Sequence, residues 1–164
     1  MDIQALLEKF NSYGPIVIFW LLYLESLNLS GIPATIIMPA IGFFIAESQY
    51  SFGYIFLIAV IAGVIGNLTY YFIAYKFGAK IYDKVYSKFP KTQNSLNKAK
   101  AMSEKYDKKA CLIGRLIPGV RGFITLISGI FSIEPRTFAV YSLAGIIIWD
   151  FVTIFSGYFI AVYL

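Results

Sequence analysis

Long apolar runs separated by short polar breaks dominate the first half of the chain. Residues 1–12 are of mixed character and predict a short interfacial helix. The run 13–24 is nearly all apolar and ends at Glu25. The run 34–46 is too short to cross a bilayer as a helix, which takes about 20 residues. The segment 50–75 carries no formal charge and therefore predicts a spanning helix.

A polar break centred on Pro33 precedes the short run 34–46. Irregular backbone is tolerated at membrane depth only where it is buried in protein or lines a watery cavity. The pattern therefore predicts that 34–46 is the return limb of a re-entrant hairpin. The pattern leaves open whether residues 13–27 span fully, and with that the side of the membrane on which the N-terminus lies.

The same order of features recurs after residue 109. Residues 110–133 are apolar except for Arg115 and Arg121, which flank the helix-breaking pair Pro118-Gly119. A proline followed by a glycine interrupts a helix, because proline lacks the backbone N–H and glycine readily leaves the helical conformation. This break is the counterpart of the one at Pro33.

Beyond the second break, residues 123–133 predict a short return limb, and residues 134–136 predict a polar turn. Pro135 suits the first position of a helix, because the N–H that proline lacks has no partner there. Residues 138–164 predict a second spanning helix, which contains Asp150.

A lysine-rich segment, residues 76–109, separates the two apolar halves and holds ten lysines and three acids. Short lysine-rich loops stay in the cytoplasm, which predicts a cytoplasmic location for this segment. Four side chains at near-helical spacing predict an amphipathic stretch on the membrane surface, ended by Pro90: Tyr82, Val85, Tyr86 and Phe89. Asn94 or Ser95 is the predicted cap of a further helix that runs toward Lys109.

The two halves match in outline, each with a charged apolar limb, a Pro-centred break, a short limb, a polar turn and a spanning helix. Paired short segments interrupted by glycine and proline indicate an inverted-repeat transporter with its site at the membrane midplane. The predicted fold is a single all-α membrane domain over residues 1–164. It consists of half-repeats at about 13–75 and 93–164, with spanning helices and two opposed re-entrant helical hairpins.

The composition supports a membrane protein and excludes several kinds of chemistry. Of the 164 residues, 59% are hydrophobic and 14% are charged, against about 25% charged residues in soluble domains. Histidine is absent and Cys111 is the single cysteine, which excludes histidine acid–base chemistry, an intrachain disulfide and a cysteine metal cluster. No cofactor, metal, catalytic residue or nucleic-acid partner is predicted, and an enzyme acting on lipid phosphates is disfavoured.

Arg115 and Arg121 are the sharpest functional signal. An ionised side chain at the centre of a spanning helix costs about 2.5–3.5 kcal/mol, so both are expected to face inward. Two guanidinium groups beside a broken helix end, with its exposed backbone N–H groups, suit a phosphate or a carboxylate. The alternative is that both extend to lipid headgroups, or pair with Glu25 for stability alone.

Other polar residues in the apolar segments have two or more interpretations. In a dry environment Glu25 is a candidate proton carrier, beside an arginine it is a counter-ion, and otherwise it is an ordinary interfacial residue. Asp150 either completes a proton path or pairs with a neighbour. Asn67 either donates to the site or bridges helices. A structural role at helix breaks is predicted for four residues: Pro33, Pro118, Gly119 and Gly129.

The motif Gly114-Arg115-Leu116-Ile117-Pro118-Gly119-Val120-Arg121, followed by Ser128-Gly129, resembles the DedA family, also called the SNARE-associated or VTT domain family. Gly66-Asn67 and the region around Trp149 are similar as well. The resemblance implies an inner-membrane protein with two opposed re-entrant hairpins. It also implies movement of undecaprenyl phosphate or phospholipids, involving the proton-motive force. By motif match the essential acid is Glu25, and the paired arginines are Arg115 and Arg121.

This chain departs from the family pattern just after the first break. Many members carry an acid there, where this chain has Thr35. A hydroxyl can hydrogen-bond a headgroup but cannot relay a proton alone, so the departure weakens the case for proton coupling. Asp150 is the candidate substitute for the missing acid.

The leading prediction is a lipid transporter or flippase whose arginines bind an anionic lipid phosphate while the acyl chains stay in the bilayer. A proton- or cation-coupled antiporter of small ions, with Glu25 and Asp150 as carriers, is the alternative. An assembly factor without transport activity is a further one. Membrane lipids are the expected partners, protons are candidate co-substrates, and a homo-oligomer is a candidate state.

Overall fold

A computed structural model of the protein describes residues 3–30, 32–106 and 109–163, with the backbone alone for residues 3–12 and 79. Across these residues the regular secondary structure is entirely helical, which confirms the predicted all-α class. The described α-helices are α1 (Ile3–Ser26), α2 (Ala34–Glu47), α3 (Phe52–Lys88), α4 (Gln93–Tyr106), α5 (Ala110–Ile113), α6 (Arg121–Ile130) and α7 (Pro135–Tyr163). Two short 3₁₀ turns, Pro90–Thr92 and Gly114–Leu116, precede α4 and follow α5.

The long helices α3 and α7 contain apolar segments of 27 and 29 residues, Phe52–Gly78 and Pro135–Tyr163. At about 1.5 Å per residue, both segments are longer than the ~30 Å hydrocarbon core of a bilayer. The two predicted spanning helices are therefore present with sufficient length. Pro135 opens α7 as expected, because its fixed φ angle suits the first helical position.

Helix α3 continues far beyond its apolar segment. The expected boundary near residue 75 is wrong, and the amphipathic stretch predicted as a separate surface element is the last part of α3. Nothing between residues 76 and 88 breaks the helix, since Gly78 is the one glycine of this stretch and proline is absent from it. The helix ends at Lys88 because Phe89 precedes Pro90 and takes a non-helical conformation, with φ −124° and ψ 81°.

Two further boundaries differ from the predictions. Helix α1 runs without interruption from Ile3 through Pro15 to Ser26, so the expected separation of residues 1–12 from the following apolar run is wrong over the described residues. A single proline removes one helical hydrogen bond, and packing of the next turns through Ile18 and Leu22 maintains the helix. Helix α4 begins at Gln93, which is earlier than the predicted caps, after the turn that starts at Pro90.

The chain divides into two compact units, of which the first comprises Met1–Gly63 and Asp150–Leu164. In this unit α2 crosses α7 at very short distance. A Cβ atom at Gly42 would lie 2.1 Å from the Ile154 carbonyl oxygen, and one at Gly157 would lie 2.1 Å from the Pro39 carbonyl oxygen. The two backbones therefore touch, which only glycine at both positions permits.

The second unit, Val64–Trp149, contains α4, α5 and α6 with one part each of α3 and α7. Here α6 crosses α3 at Gly129, where a Cβ atom would lie 2.5 Å from the Cβ of Ala74 and 2.8 Å from the backbone nitrogen of Tyr75. Gly129 lies inside α6, so its prediction as a helix-break residue is wrong. Its role is to let two helices approach closely.

Candidate functional site

The interruption between α5 and α6 forms the centre of the candidate site. The 3₁₀ turn Gly114–Leu116 follows α5, and a turn over residues 117–120 leads into α6. Gly119 has a φ of +79°, in the left-handed region where glycine carries no steric cost. Arg115 thus lies in the turn before the break, and Arg121 is the first residue of the helix after it.

Arg115 is buried, with 4% of its surface exposed, and its guanidinium group is held by neutral side chains from three helices. Its Nη1 donates to the Oδ1 of Asn67 on α3 at 2.8 Å. Its Nη2 donates to the Oγ1 of Thr125 on α6 and to the Oγ of Ser142 on α7, both at 3.0 Å. Thr125 also donates to the Oδ1 of Asn67 at 3.0 Å. We call these four residues the arginine clip.

Two further contacts fit the Arg115 side chain into the second unit. Gly145 makes room for it, because a Cβ atom there would lie 3.0 Å from the Cδ of Arg115. The guanidinium carbon also lies 5.5 Å from the ring centroid of Phe138, within the range of a cation–π contact. Hydrogen bonds to charged groups contribute about 1.5–3 kcal/mol each, so three of them are sufficient to offset the burial of one cation.

Arg121 has a different environment from Arg115. It is only partly buried, and its guanidinium carbon lies 5.3 Å from the ring centroid of Trp149. An arginine over an indole face is stabilised by the ring quadrupole while its planar donors keep their fork geometry. Arg121 is therefore a partly accessible cation at the start of α6.

The backbone at the start of α6 differs from the expectation. The N–H groups of Val120 and Arg121 both donate to the Ile117 carbonyl oxygen at 3.2 Å, and that of Phe123 donates to Val120 at 2.9 Å. The expectation that the break exposes these N–H groups for an anion is therefore wrong. Anion binding at this break would therefore depend on side chains rather than on these amides.

The other predicted residues lie in the first unit, apart from Pro118, which is exposed in the turn before α6. Glu25 is partly buried in the last turn of α1, and Asp150 in α7 has 2% of its surface exposed. Pro33 immediately precedes α2 in an extended conformation, and Thr35 is exposed in the first turn of that helix. An ionisable side chain buried in an apolar helix is a candidate functional residue.

Thr125 and Ser142 were not predicted from the sequence as partners of Arg115. Both are fully or nearly fully buried hydroxyl residues in apolar runs, and both accept a hydrogen bond from Arg115. Hydroxyl groups are common in membrane helices, where they bond to the preceding turn, as Ser128 does with the Ile124 carbonyl oxygen. The one available signal was that each hydroxyl lies on a helix face that packs inward.

Comparison with known proteins finds a matching family model and several relatives. The family model described as VTT domain matches residues 32–159. "Undecaprenyl phosphate transporter A" of Staphylococcus aureus (strain NCTC 8325 / PS 47) is 33% identical over 158 residues, which cover 94% of this chain and 77% of that protein. "Uncharacterized membrane protein YbfM" of Bacillus subtilis (strain 168) is 28% identical over 145 residues, or 88% and 89% of the two chains.

A third relative, "Protein DedA" of Escherichia coli (strain K12), is 29% identical over 103 residues, which cover 63% of this chain and 47% of that protein. The chain thus spans most of the length of two of these relatives and about half of the third. No solved structure matches it. The resemblance expected from the Gly114–Arg121 motif is confirmed, and the chain belongs to the DedA family of membrane proteins, which is defined by the VTT domain.

Proposed function

We propose that this protein moves an anionic lipid phosphate, such as undecaprenyl phosphate or a phospholipid, across the cell's inner membrane. The observation that carries the proposal is the break between α5 and α6. It places one arginine at each end of an interruption in a segment that has no other charge. Guanidinium groups bind phosphate through paired N–H donors. The printed name of the Staphylococcus aureus relative, an undecaprenyl phosphate transporter, supports the same class of substrate.

In this proposal the two arginines have different tasks. Both Nη atoms of Arg115 already donate to neutral side chains of the arginine clip, so Arg115 holds the break in shape and contributes positive charge. Arg121 is more exposed and is positioned by the ring of Trp149. We therefore assign direct contact with the lipid phosphate to Arg121 first and to Arg115 second.

The proposed architecture is an inverted repeat with two opposed re-entrant hairpins, α1–α2 and α5–α6. Corresponding positions of the two long helices support it. Asn67 is as far along the chain from Phe52, the first residue of α3, as Asp150 is from Pro135, the first residue of α7. Both are buried polar residues within apolar helical segments.

A second correspondence concerns the helix crossings. Ala74 and Gly157 also occupy equivalent positions, since each follows the start of its own long helix, α3 or α7, by the same interval. Each is the point where a short helix packs closely, Gly129 of α6 on Ala74 and the backbone of α2 on Gly157. Helices α2 and α6 have 14 and 10 residues, too few to span, which suits the return limbs of re-entrant hairpins.

Glu25 and Asp150 are the proposed proton-coupling groups. We assign this role to Asp150 first, because its carboxyl is buried in an apolar helix and the position after the first break, where the family resemblance implies an acid, is Thr35. Glu25 acts as a second carrier or as a counter-ion. The lysine-rich segment 76–109 faces the cytoplasm in this proposal, by the positive-inside rule.

The buried Asp150 also favours a second candidate, a proton- or cation-coupled antiporter of small ions without a lipid substrate. In that case Asp150 and Glu25 carry the ion and the arginines only stabilise the break. The two candidates differ in what crosses the membrane, which makes them separable by one experiment.

The purified protein in vesicles, with a fluorescent phospholipid or polyprenyl phosphate and an enclosed pH-sensitive dye, distinguishes the candidates. We expect labelled lipid to change leaflet at a rate that depends on the protein, with any proton flux accompanying lipid movement. Proton flux driven by a cation gradient, without lipid movement, would instead establish the antiporter. Vesicles containing the Arg121→Ala variant serve as the matched control.

A further inference from the structure

The last part of α3 carries a regular row of cations. Lys76, Lys80, Lys84 and Lys88 follow one another at every fourth position, and all four are exposed. Residues four apart lie on the same side of an α-helix, so the four ammonium groups form one stripe. We call this stripe the lysine ladder.

The fold fixes the direction in which the lysine ladder faces. Tyr82, Val85 and Tyr86, from the same part of α3, pack against the buried side chains of Leu96 and Leu126. These three residues lie on the other side of the helix from Lys80 and Lys84. Since the packed side is held by α4 and α6, the two middle members of the ladder, Lys80 and Lys84, are directed away from the core of the second unit.

The arrangement is unfavourable for the isolated helix. Like charges four residues apart on a helix repel each other, and residues 76–88 contain a single acid, Asp83. Anionic groups beside the ladder would reduce this repulsion. The ladder therefore has the charge expected of a surface that attracts anionic groups.

We propose that the lysine ladder binds the anionic phospholipid headgroups of the membrane that α3 enters. The apolar segment of α3 ends at Gly78, between the first two members of the ladder. Phe77 is 49% exposed, and the Lys76 ammonium lies 5.5 Å from its ring centroid, an aromatic and a cation together as at membrane interfaces. The inference rests on the entry of α3 into the membrane and not on lipid transport.

The contribution of each lysine to headgroup binding should depend on its position along α3. At a rise of about 1.5 Å per residue, Lys80, Lys84 and Lys88 lie about 3, 9 and 15 Å beyond Gly78. The Debye length at physiological ionic strength is about 8 Å. Lys80 therefore lies within reach of the headgroups, Lys84 lies at the limit, and Lys88 contributes little. A soluble polyanion such as a nucleic acid would contact the whole ladder and show no such gradient.

Spin-label spectroscopy of lipids next to the protein tests the proposal. The intact protein is placed in phosphatidylcholine vesicles that contain a small fraction of spin-labelled phosphatidylglycerol, or of spin-labelled phosphatidylcholine as reference. The measured quantity is the preference of the protein for phosphatidylglycerol over phosphatidylcholine. It is compared for Lys80→Gln, Lys84→Gln and Lys88→Gln, with Lys98→Gln on α4 as an exposed control outside the ladder.

We expect the wild type to prefer phosphatidylglycerol, and Lys80→Gln to lower that preference by up to about fivefold, the factor for one lysine near an anionic surface. Lys84→Gln should have a smaller effect, and Lys88→Gln and Lys98→Gln should have almost none. Salt at roughly 0.5 M should abolish the preference of the wild type, because it reduces the Debye length to a few Å. No preference in the wild type, or equal losses at Lys80 and Lys88, would overturn the proposal. Binding of heparin to the detergent-solubilised protein that depends equally on both lysines would assign the ladder to a soluble polyanion.

Discussion

Each compact unit has a close crossing of a short helix on a long one, at Gly42 and Gly157 in the first and at Gly129 in the second, but a polar junction is described in the second unit. In the first unit α2 and α7 meet backbone to backbone at Gly42 and Gly157, with no space for a single added carbon. In the second unit a buried cation, Arg115, links α3, α6 and α7 through hydrogen bonds to neutral side chains. One junction depends on shape and the other on satisfied polar groups, so different substitutions should break them.

The comparison extends to the matched positions of the long helices. Asn67 in the second unit is an amide that accepts hydrogen bonds from Arg115 and Thr125, whereas Asp150 in the first unit is a buried acid. An amide keeps the same charge at every pH, and a carboxyl does not. The matched positions therefore differ in that one holds a side chain of fixed charge and the other an ionisable one.

The largest expected effect is at the glycine crossing. Gly42→Ala places a Cβ atom 2.1 Å from a backbone oxygen, which cannot move without separating α2 from α7. We expect a loss of about 3 kcal/mol or more in the free energy of unfolding, because overpacking of this kind forces backbone shifts. Thermal unfolding of the detergent-solubilised protein measures this loss of stability.

Gly53→Ala is the matched control, since no atom lies within 4 Å of the added Cβ at the start of α3. In a helix the change from glycine to alanine by itself stabilises by up to about 1 kcal/mol. Equal unfolding temperatures for the two variants would refute the account of the first unit.

The next largest loss of stability is expected on substitution of Arg115, the cation of the arginine clip. Arg115→Met keeps most of the side-chain length but removes the donors to Asn67, Thr125 and Ser142. Buried polar groups that lose their partners cost about 1–3 kcal/mol each, so we expect a destabilisation of about 3 kcal/mol in the same unfolding assay. Arg136→Met, at an exposed position in the first turn of α7, is the control and should unfold like the wild type. If Arg115→Met also unfolds like the wild type, Arg115 does not support the second unit.

A smaller effect should appear between the acceptors of the arginine clip. Asn67→Ala and Thr125→Val remove groups that bond to each other and to Arg115, so their effects on unfolding should not add. We expect an interaction energy of about 1 kcal/mol in a double-mutant cycle. The pair Asn67→Ala and Thr137→Val is the reference, since Thr137 bonds to Glu134 at an exposed site and should show additivity. Additivity in both cycles would mean that the clip does not act as one network.

The long helices and the break at Pro118 could be predicted from the sequence, because apolar length and the Pro-Gly pair act locally. The residue at which α3 ends could not be predicted from the sequence. The lysines after residue 75 mark the edge of the apolar segment, and a helix continues past that edge when nothing in its backbone stops it.

The polar neighbours of Arg115 could not be predicted either. Thr125 and Ser142 become its partners because α6 and α7 bring their hydroxyls to one guanidinium group, and this arrangement depends on packing between distant segments. The break likewise predicted exposed backbone N–H groups, but the turn over residues 117–120 supplies its own acceptors. In both cases local sequence indicated the chemistry and tertiary contacts decided which atoms carry it.

The central claim, that Arg121 binds the lipid phosphate at the break, is tested most directly by comparing Arg121→Ala with Arg136→Ala in vesicles. The measurement is the rate at which a labelled anionic phospholipid changes leaflet. Loss of a charged hydrogen-bonding partner lowers binding about tenfold or more, so we expect Arg121→Ala to lose at least that factor and Arg136→Ala to keep the wild-type rate. Equal rates for the two variants, with both proteins folded, would contradict the claim.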